Sequence, residues 1–243
     1  MAASRLDQQL VALGLADSRA RAQGMIAAGV VSIDGVAALK PAQRVAEGAR
    51  VEVSGAVLPW VSRAALKLAH ALEVFGLAPA GVALDVGAST GGFTEVLLAR
   101  GAARVFALDV GHGQLHPRLA ADPRVINLEG INARAIPEGA VPKVNWIVSD
   151  VSFISLEKAL PGALALGRPG AVLVALIKPQ FEAGPGAVGK GGIVKDPAVH
   201  AAVRAHIRDW LTAQGWEVTG EAESPITGAD GNREFLIAAR KPL

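Results

Sequence analysis

Lys178 stands at the end of Ala171-Val-Leu-Val-Ala-Leu-Ile177, a run with no polar side chain. A strand of that composition is buried on both faces, so the ammonium group that closes it needs a partner or a task. Three more ionisable residues occupy comparable places. Asp150 follows Trp146-Ile-Val-Ser149, Glu234 opens Glu234-Phe-Leu-Ile-Ala-Ala-Arg240, and Lys67 lies on a helix-forming stretch ahead of Val82 to Val86. Two amines and two carboxylates make either a pair of salt bridges or a proton-handling set. A lysine serves as a base when burial or neighbouring positive charge favours its neutral form and a carboxylate orients it. Spacing alone leaves both readings open, because ion-pair networks also perturb titration.

A second group with chemical content is Asp85-Val-Gly-Ala-Ser-Thr-Gly-Gly-Phe-Thr94, a strand end that runs into a glycine-rich turn and then a helix. Glycine lets backbone approach a ligand closely. Gly87, Gly91 and Gly92 miss the G-x-G-x-x-G spacing of a dinucleotide loop, and no lysine follows them as in a phosphate loop. Asp109 ends the next strand, in Ala107-Leu-Asp-Val110, where a carboxylate accepts from the hydroxyls of a ribose; this points to a nucleoside cofactor without choosing one. Gly184-Pro-Gly-Ala-Val-Gly189-Lys190-Gly191 nearly spells G-x-x-x-x-G-K-[ST], but Gly191 stands where the magnesium-binding hydroxyl belongs. A flexible basic loop carrying Lys190 and Lys195 beside the substrate is the expectation.

The elements that must position these groups alternate strand and helix from Ser62 onward. Strands are expected at Val82 to Val86, Arg104 to Val110, Val125 to Leu128, Trp146 to Asp150, Ala171 to Lys178, Trp216 to Glu221 and Glu234 to Arg240. Helices are expected at Ser62 to Phe75, with Leu66, Ala69, Leu72 and Val74 inward, and at Gly92 to Arg100, Leu156 to Leu166 and Pro197 to Gln214. This is an α/β chain with a Rossmann-like sheet of seven strands, mainly parallel with one antiparallel edge strand, and its ligands belong beyond the carboxyl ends of the strands. Ahead of it, a helix over Arg5 to Leu15, a second capped by Asp17 or Ser18 and stopped by Gly29, a hairpin across Asp34-Gly35 and a strand at Arg50 to Val53 form a small α+β domain. The expected division is 1–60, with Gly55 to Trp60 as linker and Trp60 packed between the domains, and 61–243. Arg19 and Arg21 open the second helix, where unpaired backbone amides also favour phosphate, while the acids of this segment are scattered.

Composition narrows the classes. With 51% hydrophobic residues the chain of 243 is not disordered, and without cysteine it has neither disulfides nor thiolate metal sites. No metal is expected. The longest apolar run, Ala171 to Ile177, falls far short of the ~18 to 20 residues of a membrane span, and residues 1–30 do not read as a secretory signal. A soluble, cytoplasmic protein is expected. The net charge of +2 leaves a nucleic-acid partner open without requiring one.

Several of these segments resemble known families. The stretch from Arg5-Leu-Asp through Gly14-Leu, Ser18-Arg19 and Gly29-Val-Val to Lys40-Pro41 resembles the S4-like RNA-binding domain, which implies Arg5, Ser18, Arg19, Arg21 and Lys40 as RNA contacts. The loop spacing Asp85-x-Gly87-x-Ser89-x-Gly91 resembles motif I of class I S-adenosylmethionine-dependent methyltransferases. That resemblance implies S-adenosylmethionine held by Asp85, Gly87, Ala88, Ser89, Gly91, Gly92, Phe93, Asp109 and Asp150, with Asn132 near the adenine amino group or, as plainly, a turn residue. The order Lys67, Asp150, Lys178, Glu234 resembles the tetrad of FtsJ-like ribose 2′-O-methyltransferases. By that resemblance Lys178 acts on the 2′-hydroxyl, Asp150 orients it, and Lys67 and Glu234 complete the network.

Along nearly its full length the chain resembles the TlyA/hemolysin A family of bacterial ribosomal RNA methyltransferases, on Val61-Ser-Arg-Ala-Ala-Leu-Lys67, Ala107-Leu-Asp-Val-Gly-His-Gly-Gln-Leu115, Ser149-Asp-Val-Ser-Phe-Ile-Ser155, Leu176-Ile-Lys-Pro-Gln-Phe-Glu182 and Asn232-Arg-Glu-Phe235. Ala64-Ala65 departs from the two glycines usual there. The implied substrate is ribosomal RNA or a ribosomal subunit, at a cytidine. Exocyclic amine methylation is disfavoured because Asp150-Val-Ser-Phe153 lacks the usual prolines, and cytosine C5 methylation because its nucleophile is a cysteine. The alternatives are a membrane-active hemolysin-like protein, which no apolar span or cationic amphipathic helix supports, and a non-catalytic RNA-binding assembly factor.

Overall fold

The computed structural model describes residues 4–16, 18–27, 30–38, 40–46, 48–53, 60–189, 191–228 and 231–243. The expected cap at Asp17, the stop at Gly29 and residues 55–59 of the expected linker lie outside them. The chain packs as two units, Met1–Arg63 and Ala64–Leu243.

The first unit runs β1 (Ser4–Arg5), α1 (Leu6–Ala12), α2 (Arg19–Ala27), β2 (Val31–Ile33), β3 (Val36–Ala37), β4 (Arg44–Val45) and β5 (Val51–Val53). Leu6 and Leu10 on α1, and Ala22, Met25 and Ile26 on α2, fall at helical spacing and close a core with Val31 and Val45. Leu13 lies past the end of α1 and is half exposed. Asp34 and Gly35 take φ of 49° and 79°, the two positive values that a tight I′ hairpin turn requires. That turn pairs Ile33 with Val36, while the other side of β2 pairs antiparallel with β5.

The second unit runs α3 (Ala64–Val74), β6 (Gly81–Val86), α4 (Gly92–Ala99), β7 (Ala102–Asp109), α5 (Pro117–Ala120), β8 (Val125–Glu129), β9 (Val144–Ser149), α6 (Leu156–Ala159), α7 (Pro161–Leu166), β10 (Gly167–Ile177), α8 (Pro179–Glu182), α9 (Pro197–Ala213), β11 (Glu217–Glu223) and β12 (Phe235–Arg240). The sheet order is β11-β12-β10-β9-β6-β7-β8. Strands β10, β9, β6, β7 and β8 are mutually parallel, and β12 runs antiparallel to both of its neighbours. Leu84, Ile147, Leu173 and Ile237 are fully buried in the core that α6, α7 and α9 cover, each side chain contributing about 1.5–3 kcal/mol of burial.

Three expectations need correction. The antiparallel strand is not at the edge: β12 is the penultimate strand and β11 the outer one. Phe235 to Ala239 are all buried and must be covered on both sides, whereas Glu217, Glu221 and Glu223 of β11 tolerate an edge. The helix expected over Leu156 to Leu166 is two helices, because Pro161 cannot donate to the preceding turn and starts α7 instead. On α3 the inward face is Ala65, Lys67, Leu68, Ala71 and Leu72, while Val74 is more than half exposed; the stripe is rotated by about one position, and that rotation brings Lys67 inside.

Candidate active site

Four strand ends meet where the parallel strands finish. Ile177 pairs with Phe235 in the β10–β12 register, so Lys178 and Glu234 leave adjacent strands side by side. Because β12 is antiparallel, its first residues lie at the carboxyl end of β10. Asp150 follows β9, whose Ser149 pairs with Val86 of β6. Lys67 projects from α3, which packs against β12.

The side chains form one chain of contacts. Glu234 Oε2 accepts from Lys67 Nζ at 2.6 Å. Lys67 Nζ lies 3.6 Å from Asp150 Oδ2, and Asp150 Oδ1 lies 2.6 Å from Lys178 Nζ. Lys178 also donates to Ser152 Oγ at 2.8 Å and to the Asp150 carbonyl at 3.3 Å. Lys67, Lys178 and Glu234 are buried, and Asp150 is only slightly open to solvent. The structure thus brings all four expected residues together, with charges that cancel. Removing one member of such a buried set strands its partner, at about 3–5 kcal/mol.

Beside this set lies a cavity of about 520 Å³, within the usual range for small-ligand sites. Gly87, Ser89, Asp109, Asn132 and Asp150 line it, with Leu108, Val110, Ile131 and Ile154 as apolar walls. Asp109 fixes the turn: its Oδ2 accepts from Ser89 N and its Oδ1 from Gly111 N, both at 2.8 Å. Gly87 has φ of 83°, and a Cβ there would come within 3.2 Å of Val151 backbone. Its amide and that of Ala88 both donate to the Leu108 carbonyl, so what Gly87 offers a ligand is the space of a missing side chain. Asn132 is the turn residue, its Oδ1 accepting from Arg134 N to cap a short 3-10 turn, and it also lines the cavity.

Asp85, Ala88, Gly91, Gly92 and Phe93 are buried and do not line the cavity. Asp85 Oδ2 accepts from Thr94 Oγ1 at 2.7 Å, and Oδ1 is buried with no hydrogen-bond partner among the described residues. Burial pushes this carboxyl up to about 7, against the Thr94 hydrogen bond and with some help from Asp150. Gly91 supplies the left-handed residue that starts α4.

Sequence reasoning passed over Ser152 and Phe153. Ser152 holds Lys178, and Phe153 sits at the cavity with 90% of its surface exposed, φ of 65°, and its ring centroid 5.1 Å from that of Phe181. A bulky residue at positive φ is strained, which clusters at functional sites. The available signal was position: both follow Asp150 on a loop beyond a strand's carboxyl end.

Among the expected RNA contacts, Arg5 and Arg19 share one acid. Asp7 is fully buried and accepts from Arg5 Nε at 2.9 Å, Arg19 Nη2 at 3.1 Å and Gln23 Nε2 at 3.0 Å. The Arg5 hydrogen bonds, above all, hold its carboxyl far below the usual range. The acids of this segment are therefore not simply scattered; this one is the hub on which two arginines turn. Ser18, Arg19 and Lys40 are exposed, the Arg21 side chain lies outside the described residues, and so does Lys190. Lys195 is exposed beside a loop that Asn232 ties down, accepting from Val194 N and donating to Gly192 O at 3.0 Å each.

Residues 60–241 match the family model of FtsJ-like methyltransferases, and residues 4–51 match that of the S4 domain. This chain belongs to the TlyA/hemolysin A family of FtsJ-like methyltransferases. It is 48% identical over 240 residues to the 16S/23S rRNA (cytidine-2′-O)-methyltransferase TlyA of Mycobacterium tuberculosis, covering 98% of this chain and 90% of that one. It is 40% identical to Hemolysin A of Brachyspira hyodysenteriae over 96% of this chain and 98% of the relative. A solved structure from Streptococcus thermophilus that carries a hemolysin name superposes with a TM-score of 0.78 at 38% identity, over 100% of this chain and 90% of that one. Family members thus bear either name, and among the described residues no helix is long and apolar enough to cross a membrane.

Proposed function

We propose that the protein transfers a methyl group from S-adenosylmethionine to the ribose 2′-hydroxyl of a cytidine in ribosomal RNA, in the cytoplasm. The observation that carries this reading is the contact chain Glu234–Lys67–Asp150–Lys178, of which Asp150 lines a cavity of about 520 Å³. The cavity suits the cofactor chemically. Asp109, whose oxygens each accept one amide and keep further lone-pair capacity, would hold the ribose; Asn132 would meet the adenine; apolar Val110 and Ile131 would flank it. Bound S-adenosylmethionine supplies a methyl group already activated by its sulfonium.

The residues then have one task, which is to make a weak nucleophile competent. Lys178 would act on the 2′-hydroxyl, taking up its proton, and the oxygen so activated would meet the methyl group that the bound cofactor supplies. Asp150 and Ser152 hold that amine from two sides, and Lys67, braced by Glu234, holds Asp150. Phe153 offers a flat apolar surface on which a base can stack. Arg5, Ser18, Arg19, Arg21 and Lys40, with Lys190 and Lys195, meet RNA phosphates.

The test is incubation with methyl-labelled cofactor and separate ribosomal subunits, followed by mapping of the modified ribose. Lys178→Ala is expected to lower transfer by about 100- to 10,000-fold while the cofactor affinity, read by calorimetry, stays within a few-fold. Label on a base, or no label on either subunit, contradicts the reading.

A further inference from the structure

Three side chains of the Lys178–Glu182 segment contact the Asp150–Leu156 loop. Lys178 donates to Ser152 Oγ, Phe181 packs on Phe153, and Glu182 Oε1 accepts from Leu156 N at 2.9 Å. The first two ties involve the reacting end of the site. The third lies behind it and has no part in the chemistry.

Leu156 opens α6, and its amide is one of those that a helix leaves without an internal partner. Ser155, the residue in the capping place, makes no side-chain cap bond. The Glu182 carboxylate, from α8 just past the carboxyl end of β10, fills that role instead. Glu182 is partly buried, and burial pushes its carboxyl up to about 7, opposed by the Leu156 N–H, with Glu157 adding to the effect and His206 of α9 opposing it. An acid kept where its charge is disfavoured is costly, and its contact is with the loop that carries Asp150, Ser152 and Phe153.

We propose that Glu182 is a positioning residue for methyl transfer, anchoring the start of α6 so that the preceding loop keeps Ser152 on Lys178 and Phe153 at the mouth of the cavity. The proposal rests on the reading of Lys178 and Asp150 given above. Glu182 touches no reacting atom and acts through the loop alone. Phe153 makes that anchoring necessary: a loop with a bulky residue at positive φ relaxes unless its surroundings hold it.

The experiment uses the full-length protein with Glu182→Leu, which removes the acceptor, Glu182→Asp, which withdraws it by one methylene, and Glu182→Gln, which keeps an oxygen in place. Hydrogen exchange of peptides spanning 150–160 reads the anchor directly, and methyl transfer to ribosomal subunits gives kcat and KM. In the Leu and Asp variants the Leu156 region is expected to exchange faster. Their kcat is expected to fall roughly ten- to a hundredfold, the scale of a small misplacement, with cofactor affinity and melting temperature near wild type; Gln is expected to restore both readouts. Unchanged exchange in the Leu and Asp variants overturns the proposal, and so does faster exchange with unchanged kcat. If the Leu variant fails to fold, the Asp variant decides. Failure of the underlying reading looks different, since wild type itself then transfers no methyl group to either subunit.

Discussion

Asp85 has a fully buried carboxyl whose hydrogen-bond partner among the described residues is Thr94. Its proton affinity is raised in the fold, from 3.8 to about 7. The sign of the consequence follows from linkage. Between these two values the folded chain binds a proton that the unfolded chain has lost, so this contribution is complete below the lower value and is lost as pH rises through the upper one. Asp85→Asn is therefore expected to flatten the decline of melting temperature between pH 4 and 8; a wild-type slope retained in the variant contradicts this. Asp7 acts in the opposite direction and in a separate, acid window, because its arginines lower its proton affinity. Phe153→Ala is expected to weaken productive binding of RNA by about 1–3 kcal/mol, with Phe153→Trp recovering most of it in a KM measurement. Lys178, Asp150 and Glu234 were legible in the sequence because a charge at the end of an apolar run is conspicuous. Ser152, Phe153 and Glu182 were not, since a serine, a phenylalanine and a glutamate in loops and short helices acquire meaning only from the partners that folding brings to them.

Strand ends do the positioning, and the β6–α4 turn shows how narrow the tolerance is. Gly87 combines a left-handed backbone with an approach to Val151 that leaves no room for a methyl group without displacement. Gly87→Ala is expected to cost about 1–3 kcal/mol of stability, read from denaturant midpoints, and to lower cofactor affinity because the shift falls on the Asp150–Val151 backbone. The seven strands of the large sheet were visible between turn residues, the inner ones as apolar runs because burial on both faces leaves a dense signal, whereas β11 carries three glutamates. The order of the strands was not visible. Nothing local in Phe235 to Arg240 says that the last strand enters beside β10 and pushes β11 to the rim; that follows from comparing how much of each strand must be hidden. The short α5 and α8 escaped the pattern as well, having a single turn each and no room for a periodic face.

At the level of the whole chain, two units carry different surfaces. The first presents Arg5 and Arg19 on a buried aspartate, and in the proposed function that aspartate aims them. Arg19→Ala in the full-length protein is expected to weaken RNA binding and reduce the salt slope of the affinity by about one; an unchanged slope takes Arg19 out of contact with phosphate. The Asp34-Gly35 hairpin was readable from two residues because only a few types tolerate its backbone, whereas the role of Asp7 required the tertiary meeting of α1 and α2. The reversed direction of β12 has a practical side too. The strand departs from the end that carries Glu234 and Lys178 and finishes where Lys241 N donates to Ala171 O and Lys241 Nζ to Gly167 O, at the opposite end of β10. That is one strand length away, roughly 20 Å for six residues. A fluorophore attached at the exposed Arg240 would thus report from the rear of the sheet, about that far from Glu234 and Lys178.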